Sequence, residues 1–306
     1  MSTVRRLHHP ALESAALSPN APLAVTGSAD ARARVWDLVS GALVRELSAC
    51  DPARDDGISA LAFSMDGALL WAGTRRGDLF AWDVASGAVV RRHSLGHPVS
   101  AVLPVVGGVL AGVSDPSRGA GAALLHVDEN GHVAARASCA DCGGRFALSC
   151  SADERWLAAV VVDAHVREVG VAWIIDRASG AVVHERAAAT LASVGAVSFD
   201  ARGMLIVAPD LWEDAGVPYG RGARLLAPTA PHEGVHVDEC AAPITHLRDG
   251  RLAWRGWRDL HVEARIVPLD ADGPERAFLH SSNAGFVATN VDRDTLVVLR
   301  ADEIDR

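Results

Sequence analysis

The chain contains no lysine: all 29 of its basic side chains are arginine. Without an ε-amine, Schiff-base catalysis is excluded, and so is the P-loop, whose lysine reaches the nucleotide phosphates. Basic charge is also the minority. The arginines face 38 acidic residues, for a formal net charge of −9 and an isoelectric point near 5.8. That balance argues against a non-specific nucleic-acid binder and against a polybasic membrane anchor. Apolar runs are short, and none approaches the roughly 20 residues of a membrane-spanning helix. The opening MSTVRRLHHP has arginines but no apolar run of signal-peptide length behind it, so a cytoplasmic location is expected. Cysteine is sparse and odd in number. Cys50, Cys139, Cys142, Cys150 and Cys240 are scattered through 306 residues, a poor match to a secreted disulfide framework. Tyrosine occurs once, and apolar residues nowhere recur with a helical period.

What is present is repetition. The stretch ALSPNAPLAVTGSADARARVWDLVSGALVREL (16–47) aligns with ALAFSMDGALLWAGTRRGDLFAWDVASGAVVRRH (60–93). Trp36 and Trp82 stand 46 positions apart, as do Gly41 and Gly87. A third copy at 146–185 sets Asp176-Arg-Ala-Ser-Gly180 where Asp83-Val-Ala-Ser-Gly87 stood, with room for one copy between. Each unit reads as four short runs of alternating polarity split by Gly, Asp, Pro or Ser turns, hence a four-stranded antiparallel meander, a to d. In the first unit the strands are expected near 14–18, 23–27, 32–37 and 43–47.

These units resemble WD repeats, the blades of a β-propeller. Ser28, Asp30 and Trp36 match the family's serine–aspartate–tryptophan hydrogen-bond network, and Gly96-His97 before Val99 is similar to its Gly-His ahead of strand a. The second unit keeps Trp82-Asp83 but has Arg76 where the aspartate should stand, so its network is expected to be incomplete. Weaker copies fall at 98–137, 194–239 and 242–277. A seventh would combine GFVATN (285–290) and TLVVLR (295–300) with TVRRL (3–7), pairing the termini to close the ring and hide a free edge. The expectation is thus an all-β, seven-bladed propeller of four-stranded blades, one domain over 1–306, at about 44 residues per blade.

Residues 232–236, His-Glu-Gly-Val-His, spell the HExxH of zinc peptidases. That chemistry needs a helix, which alone brings both imidazoles to one face. Here the motif follows a c strand at 223–227 and a short turn flanked by Pro228 and Pro231, so His232 and Glu233 are expected in a turn and His236 on strand d. Cys139-Ala-Asp-Cys142 is a single pair where structural zinc wants two, and is read as plain loop thiols rather than a metal or disulfide site, even with His126 and His132 near in sequence. The tryptophans Trp36, Trp71, Trp82, Trp156 and Trp173 read as packing between blades. No metal, cofactor or catalytic residue is expected. A metal-dependent propeller hydrolase or lactonase acting at the central channel is the alternative class, for which no carboxylate set can be identified.

The resemblance implies that the d–a and b–c connections share one end of the disc, the top. Those connections are the long ones, and long loops on rigid scaffolds concentrate binding. The longest, PDLWEDAGVPYGRG (209–222), holds Trp212, Tyr219 and Arg221. Trp257 and Arg258 fall in the next unit's b–c turn, and Arg118 and Arg167 in other b–c connections. Aromatics beside arginine are the residue types of interface hot spots. The expected function is therefore a non-enzymatic scaffold whose top face takes a protein or peptide, acidic or phosphorylated to suit the arginines, with no nucleic acid or membrane as partner.

Overall fold

The alternating runs become strands throughout. The computed structural model describes residues 12–21, 23–37, 40–48, 56–115, 120–140, 143–151, 153–163, 171–187, 194–199, 205–209, 212–214, 217–219, 223–227, 230–237, 241–246, 251–258, 261–268, 279–281, 286–290 and 295–299. In the first repeat, β1 (Leu12–Leu17), β2 (Leu23–Ser28), β3 (Arg32–Asp37) and β4 (Leu43–Ser48) form a sheet in sequence order. The second repeat gives β5 (Ile58–Phe63), β6 (Leu69–Thr74), β7 (Asp78–Asp83) and β8 (Val89–Ser94) in the same arrangement. Middle strands are apolar on both faces because a sheet packs on each side. All but one residue of β6 is buried, whereas the outer β8 buries none of its six.

The weaker copies follow suit. Strands β9 (Val99–Val105), β10 (Gly108–Asp115), β11 (Ala120–Asp128) and β12 (Val133–Cys139) make the third sheet, and β13 (Gly144–Cys150), β14 (Trp156–Asp163), β15 (Val171–Asp176) and β16 (Ala181–Ala187) the fourth. The next comprises β17 (Val194–Phe199), β18 (Leu205–Pro209), β21 (Ala223–Ala227) and β22 (Ala230–Val237); a ribbon of β19 (Trp212–Asp214) and β20 (Val217–Tyr219) lies between β18 and β21 in sequence. It is followed by β23 (Ala241–His246), β24 (Arg251–Arg258), β25 (His261–Pro268) and β26 (Leu279–Ser281). The last pair is β27 (Phe286–Asn290) with β28 (Thr295–Leu299), and β27 runs beside β1. The proposed terminal partner at 3–7 lies outside the described residues.

Two compact units emerge. The first takes residues 1–115, 123–136 and 284–306, the second 116–122 and 137–283. In the first, Val25, Val35, Ile58, Leu70 and Trp82 form one core between the first two sheets, and Trp71, Leu79, Val99, Val109 and Val127 form the next. In the second unit Val160, Ile174, Val197, Phe199 and Leu205 do the same, with Phe146 stacked near Trp173. Tryptophans thus pack between sheets, each such burial contributing about 1.5–3 kcal/mol.

The c–d turns share one device. The carboxylates of Asp37, Asp83 and Asp176 each accept the N–H three residues on, from Ser40, Ser86 and Ser179, at 2.7, 2.7 and 3.0 Å. A glycine then closes the turn with positive φ, 76° at Gly41, 75° at Gly87 and 68° at Gly180. The Ser86 hydroxyl and then its N–H hold the Asp83 carboxyl below the ordinary range, and at Asp176 the Ser179 N–H leads.

Candidate functional site

The repeat's polar network sits where the inner strands meet the b–c turns. Trp36 Nε1 donates to Thr26 Oγ1 at 2.8 Å. That corrects the expected serine–aspartate–tryptophan relay: Ser28 Oγ instead accepts the Asp30 N–H at 3.3 Å, and the Asp30 carboxylate serves the Arg32 N–H and Arg34. A hydroxyl on β2 reaches the indole because Thr26 shares its face of the sheet. In the second repeat Ala72 occupies the position of Thr26, and the buried Trp82 Nε1 has no hydrogen-bond partner. The network there is incomplete, for a reason on strand b as well as at Arg76. Asp56, 4% exposed on the d–a connection, accepts the Arg76 N–H at 3.2 Å and so ties the b–c turn from the other side.

Inner strands of successive sheets are clasped by a pair that sequence reading missed. Ser14 Oγ donates to Ile58 O at 2.8 Å, and Ser59 Oγ to Val99 O at 2.5 Å, each reaching the next inner strand. Beside each serine the b strand carries glycine. A Cβ on Gly73 would stand 2.3 Å from Val99 Cγ1, and one on Gly27 would stand 2.7 Å from Ile58 Cγ2. Part of the signal was available: Gly27 and Gly73 keep the 46-residue interval, whereas Ser14 and Ser59 stand 45 apart. Their meaning depends on a neighbouring sheet that the local sequence does not show.

Arginine at the b–c connections divides into employed and free. Arg32 pairs with Glu46, and Arg34 with both Asp30 and Glu46 at 3.1 Å. Arg75 meets Glu13 at 2.5 Å. Arg76 is exposed, and its guanidinium makes no ion pair among the described residues.

In the second unit the 209–222 segment is more than a loop. Trp212 and Tyr219 are directly opposed in the register of β19 and β20, with Glu213 opposite Pro218 and Asp214 opposite Val217. On the next sheet, Trp257 and Arg258 end strand β24, opposite Val262 and His261 of β25, rather than lying in the turn where the sequence put them. Pairing of β24 and β25 simply extends to within two residues of the bend. Both aromatic sites therefore occupy b–c ends of successive sheets. Arg118, Arg167 and Arg221 lie outside the described residues.

The HExxH segment is a strand throughout. Residues 230–237 form β22, the outer strand of its sheet, with Val235 opposite Leu225 and His236 opposite Arg224. His232 and Glu233 thus stand on the strand and not in a turn, because pairing resumes at Ala230, opposite Ala227. Four strand residues span up to ~13 Å, so the two positions do not share the one-turn spacing a zinc ion needs. Among the described residues no group of three or more His, Cys, Asp or Glu is placed to hold a metal. Cys139, at the end of β12, is disulfide-bonded, which corrects its reading as a plain loop thiol; spacing alone could not say whether the pair was oxidised. Cys150 is a free thiol whose pKa burial pushes up.

A family model for the WD domain, G-beta repeat, matches residues 2–37, ending on Trp36-Asp37. No curated protein matches the chain in sequence. Among solved structures, the β-propeller domain of Myceliophteria thermophila Cps50 (Swd1) aligns with a TM-score of 0.64 at 12% identity, over 92% of this chain and 91% of that one. A chain of the Mitotic Checkpoint Complex gives a TM-score of 0.68 at 17% identity, over 94% and 83%. Kuenenia stuttgartiensis hydrazine synthase gives 0.62 at 15%, over 85% and 78%. At such identities these likenesses speak for fold and not for activity. The repeat model over residues 2–37 and the likeness to solved propellers, joined to the Trp-Asp spacing, make this chain similar to WD-repeat β-propellers in fold.

Proposed function

We propose that the chain is a non-enzymatic, cytoplasmic interaction scaffold, one seven-bladed propeller that takes a protein or peptide partner on its b–c/d–a end. Seven blades and a closed ring are supported by the 46-residue interval of the first repeats and by β27 lying beside β1. WD-repeat propellers commonly serve as protein-interaction scaffolds, and one structure sharing this fold is a chain of a multi-protein assembly.

The observation that carries the site is the Trp212–Tyr219 pair. It lies on a two-stranded ribbon of three residues a side, too short to be stable without something packed on it. Trp257 and Arg258 end the corresponding strand of the next sheet, so a partner spanning both would meet aromatics flanked by Arg221 and Arg258. Arg118 and Arg167, on other b–c connections, extend the basic character and favour an acidic or phosphorylated segment.

The test is affinity capture from the native cell with wild-type protein and with Trp212→Ala, Tyr219→Ala and Arg221→Ala. The partner is expected to lose at least about 30-fold in affinity for the aromatic variants, the scale of a hot-spot truncation. If every captured protein stays bound to all three variants, the site assignment is wrong.

A further inference from the structure

Among the described residues, three outer strands carry two consecutive exposed apolar side chains near their start: Leu43-Val44 on β4, Val89-Val90 on β8 and Val182-Val183 on β16, between 39% and 56% exposed. A bulge accompanies each pair. Leu43 pairs with Trp36 and Arg45 with Val35, which leaves Val44 without a register partner; Val90 and Val183 are left out in the same way. Being exposed, these side chains fill no core, so the fold does not require them to be apolar. In the first unit the pairs alternate with acidic c–d turns. Arg45, just after the first pair, lies against the Asp83 turn, where a Cβ on Gly87 would stand 2.7 Å from its Nη1. Arg91, just after the second pair, donates to Glu129 O on the following c–d turn. The rim thus reads Leu43-Val44, Asp83, Val89-Val90, Asp128-Glu129, with its two arginines occupied in joining each outer strand to the next turn. Hydrogen bonds led by the Ser86 hydroxyl and the His132 N–H hold the Asp83 and Asp128 carboxyls below the ordinary range, so both turns are anionic at neutral pH. Glu129 is exposed and enters no ion pair among the described residues.

We propose that this rim of the first unit docks a cationic amphipathic helix of a partner protein, its apolar face on Leu43-Val44 and Val89-Val90 and its Lys or Arg side chains facing Asp83 and Glu129. Charge complementarity selects the sign of the partner, and the exposed pairs supply apolar area that only a partner can bury. The bulges select its form. A strand added to β4 or β8 needs an unbroken row of edge N–H and C=O groups, which the bulge interrupts beside each apolar pair. A helix docks through side chains alone and needs no such row. An anionic membrane surface would be repelled by the same carboxylates. Nothing in this depends on the partner-binding proposal above, because these residues stand at the a–b/c–d ends of their sheets.

The experiment titrates the folded full chain into fluorescein-labelled model peptides and reads anisotropy. The probes are a Leu/Lys peptide patterned with the helical period, its Leu/Glu counterpart, and a Ser/Lys peptide of the same charge. Only Leu/Lys is expected to bind. Val44→Thr/Val90→Thr keeps β-branching on exposed positions, so it should leave the urea midpoint unchanged while weakening Leu/Lys about ten-fold. Glu129→Gln should also weaken it and reduce its loss between about 0.05 and 0.5 M salt. Trp212→Ala should leave it unchanged, which separates this surface from the one proposed above. Failure of Leu/Lys to bind, equal binding of Leu/Glu or Ser/Lys, or a double variant that binds like wild type overturns the proposal. So does self-association in sedimentation velocity that the same double variant abolishes, since the rim would then take a second copy of the chain.

Discussion

The orphaned indole of Trp82 allows one position to be tested against its own repeat. Trp36 and Trp82 occupy equivalent places, yet Trp36 donates to Thr26 at 2.8 Å while Trp82, fully buried and with Ala72 at the position equivalent to Thr26, donates to nothing. Replacing Ala72 by Thr copies the first repeat's solution, and replacing it by Val copies the same shape without the hydroxyl. Bulk and β-branching are common to both variants, so their difference isolates the hydrogen bond. A made bond is worth about 0.5–1.5 kcal/mol, and relief of a buried unsatisfied donor brings the expected gap to about 1–2 kcal/mol in favour of Thr. The reciprocal Thr26→Val should lose a similar amount by orphaning Trp36. With a urea m-value near 3 kcal/mol/M, the top of the ordinary range, the Thr and Val midpoints should differ by about 0.3–0.7 M. Urea titration followed by tryptophan fluorescence reads this directly. A Val variant as stable as the Thr variant would refute the reasoning, because the indole would then have no need of a partner.

Other outcomes follow from the same geometry. Gly73→Ala drives a methyl to 2.3 Å from Val99 Cγ1 and should cost about 1–3 kcal/mol, partly recovered in the Gly73→Ala/Val99→Ala double variant; a strictly additive cycle would contradict the close approach. His93 reaches over Gly131 of the neighbouring turn, with Arg91 beside it and Asp128, Glu129 and His132 on that turn, and its Nε2 is buried without a partner. Burial, then the Arg91 charge, lowers its pKa from the ordinary 6.5, so the unfolded chain protonates first. The stability His93 contributes should be present above pH 6.5 and fall as pH drops through that value, and His93→Phe should flatten this part of a urea-midpoint profile. The c–d carboxylates at Asp83 and Asp176 act at lower pH. Their depressed pKa values make their contribution present above the ordinary carboxylate range and lost below it, so Asp83→Asn should blunt acid unfolding near pH 4.

Much of the fold was legible because each strand of a propeller blade is local. The first repeat's four strands were placed to within two residues, since period-2 alternation ends at turns whose Asp, Ser and Gly have a fixed job. The β19–β20 ribbon was not visible, because Trp-Glu-Asp and Val-Pro-Tyr are too short to alternate and the second contains a proline. Thr26 was passed over for Ser28 for a different reason. Both hydroxyls lie on β2, and only the register of β2 against β3, Thr26 opposite Arg34, shows which of them can meet the indole two residues beyond. The state of Cys139 was a matter of bonding chemistry, which spacing leaves open.

Arginine content by itself is a poor guide to the partner. Arginine recurs at every expected b–c connection, a pattern that on its own implies a basic ring suited to an acidic ligand. In the first unit most of that charge is spent inside the protein. Arg32 and Arg34 answer Glu46 and Asp30, Arg75 answers Glu13, and Arg92 answers Asp78 at 3.0 Å while lying 5.0 Å over the Phe80 ring. Exposed pairs of this kind contribute little stability, but they cancel the field a ligand would feel. Arg76 is the exception, held out on a turn whose backbone Asp56 fixes from below. Recurrence of arginine is therefore first a property of the repeat, supplying partners for neighbouring carboxylates, and only second a feature of a binding face. Weight moves accordingly to residues that the repeat does not explain. Trp212 and Tyr219 have no counterpart in the other units and stand opposed on a ribbon that no other b–c connection, among the described residues, possesses. A repeat supplies its scaffold by recurrence; what it does once is where specificity has to be sought.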